Sequence, residues 1–262
     1  MLATRQPSRG GVSAVAVLEQ ELGLMSYEAL SEAELKLGEW AGRGYRVLSS
    51  SAPDYPANLR VVESRPALLF VAGRLDPADQ RSVAVIGTRE PTEAGRALAR
   101  EVARGLATAA FAVVSGLAAG IDAEAHESVL DLIRERPQRP ARTLAVIGNG
   151  LDHVYPKEHA GLQQRIVEAG AVVSQFWPEA TPTRQSFPAR NAVMSGMTLG
   201  SVIIEASEHS GTRVQARHAL DQSRIVVLMS SVLANGWARE LVDQPGVVVA
   251  EDAAAVVRAF RR

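Results

Sequence analysis

The sequence predicts an α/β fold: a doubly wound, mostly parallel sheet of the extended Rossmann-like kind, with a short N-terminal helical segment. From Ser82 onward, short runs of apolar and β-branched residues recur, each followed by an amphipathic stretch long enough to be a helix. A strand, a helix and a second strand in one sheet are joined by a right-handed crossover, so a succession of such units gives a parallel sheet covered on both faces. Composition agrees: 47% hydrophobic residues and 22% charged residues in 262 suit one large packed domain, and no cysteine is present to staple a smaller one.

Residues 1–42 are expected to form the N-terminal tail and helical segment. Apolar residues fall at helical spacing over 12–22 and 27–40, and Ser31 with Glu34 has the form of a capping box. Residues 43–262 form the Rossmann-like domain. Its lead-in is a strand, Tyr45-Arg-Val-Leu-Ser49, a turn at Pro53-Asp-Tyr-Pro56, and an apolar strand, Ala67-Leu-Leu-Phe-Val-Ala-Gly73. Ser82-Val-Ala-Val-Ile-Gly87 then reads as a buried strand, and residues 91–110 as a helix with proline near its first turn. Phe111-Ala-Val-Val-Ser115 is the next strand, followed by a helix through Ile133 and a polar, proline-containing connection over 134–142. Thr143-Leu-Ala-Val-Ile-Gly148, a helix over 158–169, and Ala171-Val-Val-Ser174 continue the alternation. Residues 176–188 hold three prolines and read as an irregular loop. A helix leads to Ser201-Val-Ile-Ile-Glu205, another to Arg224-Ile-Val-Val-Leu228, and Val247-Val-Val-Ala250 precedes a helix started by Asp252.

The first ten residues carry Arg5 and Arg9 but lead into no apolar stretch of signal-peptide form, and no run approaches the roughly 18–20 apolar residues of a membrane span. The expected location is the cytoplasm, with no membrane partner. A net charge of −1 disfavours coating of duplex DNA by charge alone, yet leaves room for a local basic groove. Lys36 and Lys157 are the only lysines, so arginine supplies nearly all the positive charge.

In open parallel sheets, ligands bind beyond the carboxyl ends of the strands. Four such ends are rich in glycine, hydroxyls or positive charge: Gly87-Thr88-Arg89, Ser115-Gly116 through Gly120, Gly148-Asn149-Gly150 through Lys157, and Ser210-Gly211-Thr212. Glycine lets backbone N–H groups approach a phosphate, and the helix N-termini that follow favour anions. These loops are expected to form a phosphate-binding rim; the alternative is that the glycines only turn tight corners. Gly148-Asn149-Gly150 lacks a third glycine at dinucleotide spacing, and no Walker sequence occurs, so no nucleotide cofactor is expected.

The order of these motifs resembles the DNA-processing (DprA/Smf) family. The resemblance rests on Ile86-Gly-Thr-Arg89, Val114-Ser-Gly-Leu-Ala-Ala-Gly-Ile-Asp-Ala-Glu-Ala-His126, Gly148-Asn-Gly-Leu-Asp-His-Val-Tyr-Pro-Lys157, Phe187-Pro-Ala-Arg-Asn191 and Ser210-Gly-Thr212. It covers roughly residues 44–228. It implies a non-catalytic single-stranded-DNA-binding protein that dimerises and, in natural transformation, hands incoming strands to a RecA-type recombinase. By the same resemblance, Arg89, Lys157, Arg184 and the Arg190-Asn191 pair line the basic groove. The sequence departs from the family at Ala192, at Arg213-Val-Gln215, and at Met229-Ser230, and no C-terminal winged helix is expected after Arg262.

Several side chains admit two readings. Asp122 and His126 share a helix face, either as an acid–base pair or as a cap and a packing histidine. Asp152, His153 and His159 match no common metal spacing. Glu205 could be a catalytic carboxylate or an acceptor for backbone N–H groups. Trp177 and Phe187 could stack on bases or pack their loop, and Trp237 reads as core. The rival to DNA binding is a nucleotide sensor or phosphoribohydrolase on the same rim. The glutamate-bearing, glycine-rich segment that such hydrolases use is absent after Thr212.

Overall fold

The computed structural model describes residues 31–138, 141–208 and 210–261. It divides into two compact units, Met1–Gly44 and Tyr45–Arg262. In the first, residues 31–42 are helical (α1); the helix expected over 12–22 lies outside the described residues.

The second unit is built on one nine-stranded sheet. Its strands are β1 (Tyr45–Ser49), β2 (Leu68–Gly73), β3 (Ser82–Ile86), β4 (Ala112–Ser115), β5 (Thr143–Val146), β6 (Ala171–Ser174), β7 (Gly200–Ile203), β8 (Ile225–Met229) and β9 (Val247–Ala250). They lie in the order β1-β2-β6-β5-β4-β3-β7-β8-β9. The seven strands from β6 to β9 run parallel, and β1 and β2 extend the sheet antiparallel, with Phe70 opposite Ser174. The lead-in strands expected from the sequence are thus an added edge, which gives the extended form of the fold.

The helices are α2 (Ala57–Arg60), α3 (Glu93–Thr108), α4 (Ile121–Glu135), α5 (Ala160–Ala169), α6 (Ser186–Met197), α7 (Thr212–Asp221), α8 (Gly236–Arg239) and α9 (Ala253–Phe260). Strand order rises in one direction from β3 to β6 and in the other from β7 to β9. Right-handed crossovers therefore put the two sets of connecting helices on opposite faces. Accordingly α4 packs on α3 and α5, and α3 also on α9, while α6 packs on α7 and α2. The central strands β3 and β7 are buried along their whole length, as a sheet covered on both sides requires.

Boundaries differ from expectation where local chemistry intervenes. Pro91 precedes the helix, and Thr92 caps it, its Oγ1 accepting from Gly95 N at 3.0 Å. The helix expected from residue 158 opens as a 3-10 turn, Lys157–His159, before α5. Pro188 falls inside the first turn of α6, where an N–H has no intrahelical partner and proline is tolerated. A 3-10 turn, Ser230–Ala234, and α8 occupy the β8–β9 connection, where no element was expected; Trp237 of α8 is core, 2% exposed. Among the described residues no helix is long and apolar enough to cross a membrane.

Candidate nucleic-acid interface

Strands β3 and β7 are neighbours, yet the chain leaves β3 toward β4 and reaches β7 only after β6. Their carboxyl ends therefore flank the topological switch point, where such sheets hold ligands. A cavity of about 320 Å³ opens there, lined among others by Arg89, Asp122, Phe187, Arg190, Asn191 and Gln215. A second hollow of about 160 Å³ shares Arg89, Phe187 and Arg190 with it and reaches Gly148, Asn149 and Tyr155. The loops after β3, β4, β5 and β7, and the start of α6, thus meet on one edge.

Three cations face outward. Arg89, Lys157 and Arg184 are exposed, and none of their side-chain charges has an ion pair or hydrogen bond with another described residue. Along α3 and α4 the arginines are instead neutralised: Arg96 and Arg100 share Glu124, and Arg104 meets Glu135. Arg165 of α5 pairs with Glu127, and Arg142 with Asp79. Arg89 lies over the Phe187 ring, 5.5 Å from its centroid, and the Tyr155 ring centroid stands 5.5 Å from that of Phe187. Tyr155 is 41% exposed, so the edge carries an aromatic surface beside a cation with no carboxylate partner. Trp177, 56% exposed, lies 5.4 Å from Phe70.

Arg190 sits differently from the other three cations. It is 6% exposed; its Nη1 donates to Gly116 O at 2.5 Å and Val146 O at 2.7 Å, and its Nε to Asn191 Oδ1 at 3.0 Å. The guanidinium ties α6 to the carboxyl ends of β4 and β5, and a methyl group on Gly116 would occupy its place, 2.3 Å from Nη1. Burial lowers the Arg190 pKa, and Asp122 opposes that shift.

The glycines and hydroxyls of the rim are mostly engaged by the protein itself. Gly120 has φ +80°, and a Cβ there would meet Thr88 O at 2.4 Å, so this glycine lets the β3 and β4 loops touch. Gly87, Gly148 and Gly150 are filled in the same way by Ile121, by Phe187 and by the Trp177–Pro178 backbone; only Gly211 faces open space. Ser115 Oγ donates to Val85 O, and Thr88 N to Glu205 O. Gly150 N donates to Ala180 O. Ser210 and Thr212, hydrogen-bonded to each other at 3.0 Å, line the main cavity together with Gly211 and Thr88.

The starts of α4 and α3 each already hold a carboxylate. Asp122 Oδ2 accepts from Gly116 N at 3.1 Å and Ala118 N at 3.4 Å. Burial raises its pKa, opposed by Arg190 and those N–H bonds. At α3, Glu205 accepts from Thr92 N at 3.1 and 3.2 Å and from Thr92 Oγ1 at 2.7 Å. At these two loops the Gly116, Ala118 and Thr92 amides are thus taken by the protein's own carboxylates, and the Thr88 amide by the Glu205 carbonyl.

His126 is packed as the neutral imidazole. Thr143 Oγ1 donates to Val113 O, so it accepts from His126 Nδ1 at 2.7 Å, and Nε2 is the unprotonated nitrogen. Burial, with His159 and Arg190 nearby, lowers its pKa from 6.5 to about 3. The unfolded chain thus takes up this proton first as pH falls. His126 contributes stability that is complete above pH 6.5 and lost between 6.5 and about 3. Melting temperature followed across that window should fall more steeply for the wild type than for His126→Asn. Parallel declines would assign the acid limb to other groups.

Tyr155 and Gln215 are among the cavity residues that the sequence reading did not select. Tyr155 lay beside Lys157 in the Tyr-Pro-Lys run, where its aromatic ring was the available signal. Gln215 was noted only as a departure from the family pattern.

Comparison with known proteins follows this geometry. The profile described as DNA recombination-mediator protein A matches residues 46–257. Protein Smf of Synechocystis is 36% identical over 194 residues, covering 72% of this chain and 47% of its own. DNA processing protein DprA of Bacillus subtilis is 29% identical over 203 residues, covering 77% of this chain and 66% of its own. The chain therefore spans about half to two thirds of the length of these relatives. The X-ray structure of DNA processing protein A from Streptococcus pneumoniae superposes with TM-score 0.71 at 31% identity, covering 82% of this chain and 74% of that one. That from Helicobacter pylori, described for its single-stranded DNA binding mode, gives TM-score 0.70 at 24% identity, covering 83% and 95%. With the profile spanning most of its length, and the same sheet and motif order in place, the chain belongs to the DNA recombination-mediator protein A (DprA/Smf) family.

Proposed function

We propose that the carboxyl edge of the sheet binds single-stranded DNA without catalysing a reaction on it. The observation that carries this reading is the cluster of exposed Arg89, half-buried Phe187 and exposed Tyr155, a cation with no carboxylate partner set against two aromatic rings. Phosphates pair with Arg89, Lys157 and Arg184, and bases stack on the rings. A duplex keeps its base faces covered and offers the rings nothing. Arg190 and Asn191 act from beneath by holding α6, and with it Phe187, in position. Family membership supports a role in DNA processing, with the bound strand passed to a RecA-type recombinase by a homodimer.

The nucleotide-sensor and phosphoribohydrolase readings are less well supported. Asp122 and Glu205 occupy the starts of α4 and α3, and Glu205 and His126 are committed to internal partners.

Fluorescence anisotropy of a labelled strand of about 30 nucleotides, against its duplex and at several salt concentrations, tests the reading. Three phosphate contacts should give a slope of log affinity against log salt of about −2 for the single strand. Equal affinity for the duplex, or binding insensitive to salt, would overturn it. Addition of nucleoside monophosphates should leave the melting temperature unchanged and release no base.

A further inference from the structure

Helix α7 presents different chemistry on its two sides. Thr212 and Gln215 are buried and line the switch-point cavity, and Gln215 Nε2 donates to Ser201 Oγ at 3.1 Å. Arg213 and Arg217 are one turn apart and share the side that turns away from the core. Arg217 is exposed and Arg213 half-buried, and neither side-chain charge has an ion pair or hydrogen bond with another described residue.

The arginines on the other face of the sheet are held differently. Arg96 and Arg100 of α3 share Glu124, Arg104 meets Glu135, Arg134 of α4 meets Asp131, and Arg165 of α5 pairs with Glu127. A phosphate arriving over α3, α4 and α5 must compete with carboxylates already in place. Over α7 that competition is weaker. Glu208, the acid that precedes the helix, accepts from Gly236 N at 2.9 Å, and Asp221 stands only at its far end.

The helix also continues from the rim without a break. Its first residue, Thr212, lines the same cavity as Arg89, and from there α7 runs back from the carboxyl edge across the face that it shares with α6. The step from Arg213 to Arg217 is about 6 Å along the axis, close to the separation of successive phosphates on an extended strand. Val214, 38% exposed between them in sequence, adds apolar surface.

We propose that a bound strand leaves the rim over α7, its phosphates passing to Arg213 and then Arg217, and not over α3, α4 and α5. The inference rests on the DNA-binding reading above and gives the strand a direction: the rim holds one segment, and α7 carries the next as far as Asp221.

Strand length separates the two parts. A labelled strand of about six nucleotides suffices for the rim, and one of about 30 reaches α7, since single-strand-binding folds cover about 4–16 nucleotides. With the full chain, anisotropy should give a salt slope of about −2 for the short strand and about −3.5 for the long one, two further phosphates adding about 0.7 each. Arg213→Glu with Arg217→Glu should lower affinity for the long strand about tenfold, return its slope to about −2, and leave the short strand bound as before. Arg134→Glu with Arg136→Glu, the same change in net charge at the end of α4, should alter neither strand. Equal slopes for the two strands on the wild-type protein overturn the α7 track while the rim stands, and that result needs no variant. A loss at the α7 pair that the α4 pair matches, or that the short strand shares, overturns it too. Failure of the wild type to bind either strand overturns the rim reading as well.

Discussion

Charge reversal at Arg89 is expected to lower affinity for a single strand by about a hundredfold at low salt, because one phosphate contact is lost and a repulsion replaces it. The salt slope should shrink by about 0.7, the contribution of one phosphate on a single strand. Stability should hardly change. Arg89 is exposed, and the only contact given up in the folded protein is its position over Phe187, worth about 0.5–1 kcal/mol at such a site. Arg89→Lys separates charge from shape: it keeps the phosphate contact and loses the planar stack, so its affinity should fall between wild type and Arg89→Glu. An Arg89→Glu protein that binds like wild type, with an unchanged salt slope, would move the interface off this edge.

Arg190→Met should act in the opposite way, on the fold first. The substitution strips Gly116 O and Val146 O of their donor and leaves the buried Asp122 carboxylate without its neighbouring cation. Removing a charged donor from its hydrogen-bonded partners costs about 1.5–3 kcal/mol. Denaturant unfolding should therefore show a large fall in the midpoint at an unchanged slope. DNA binding should weaken as well, since the same guanidinium anchors the start of α6 and thereby Phe187. Adding Asp122→Asn to Arg190→Met should recover part of the loss, because the uncompensated charge is then gone. Strict additivity of the two substitutions would indicate that the groups act independently.

These two arginines also mark the limit of what the sequence discloses. Both stand at the rim in the linear motif, and residue type alone assigns both to phosphate. What separates them is depth: α6 carries Arg190 beneath the β4 loop, while the turn after β3 lifts Arg89 clear of it, and that difference comes from tertiary packing. The strands were legible because a sheet covered on both faces demands short, wholly apolar segments; β6 and β9 begin and end where the apolar runs do. The order β6-β5-β4-β3-β7 could not be read, since periodicity says nothing of which strand pairs with which. The rim glycines were visible as glycines, but whether a vacant Cβ position faces a ligand or another loop depends on contacts distant in the chain, such as Gly120 against Thr88. Glu205 and Asp122 were open in the same sense. A carboxylate near a strand end is equally a catalyst and a cap until the N–H groups that it meets are known.

The Glu205–Thr92 contact has a bearing on selectivity among anions. Tethered to β7 beside the α3 N-terminus, the carboxylate behaves as an intramolecular ligand whose effective concentration is on the order of millimolar or more. A free nucleotide seeking the same dipole must displace a competitor that never diffuses away. On the proposed reading, a polymeric strand would avoid that contest by engaging several separate cations at once, its affinity accumulating along the edge without evicting Glu205. The protein would thereby discount monomeric nucleotides in favour of chains through occupancy of its own helix terminus, with no steric gate needed.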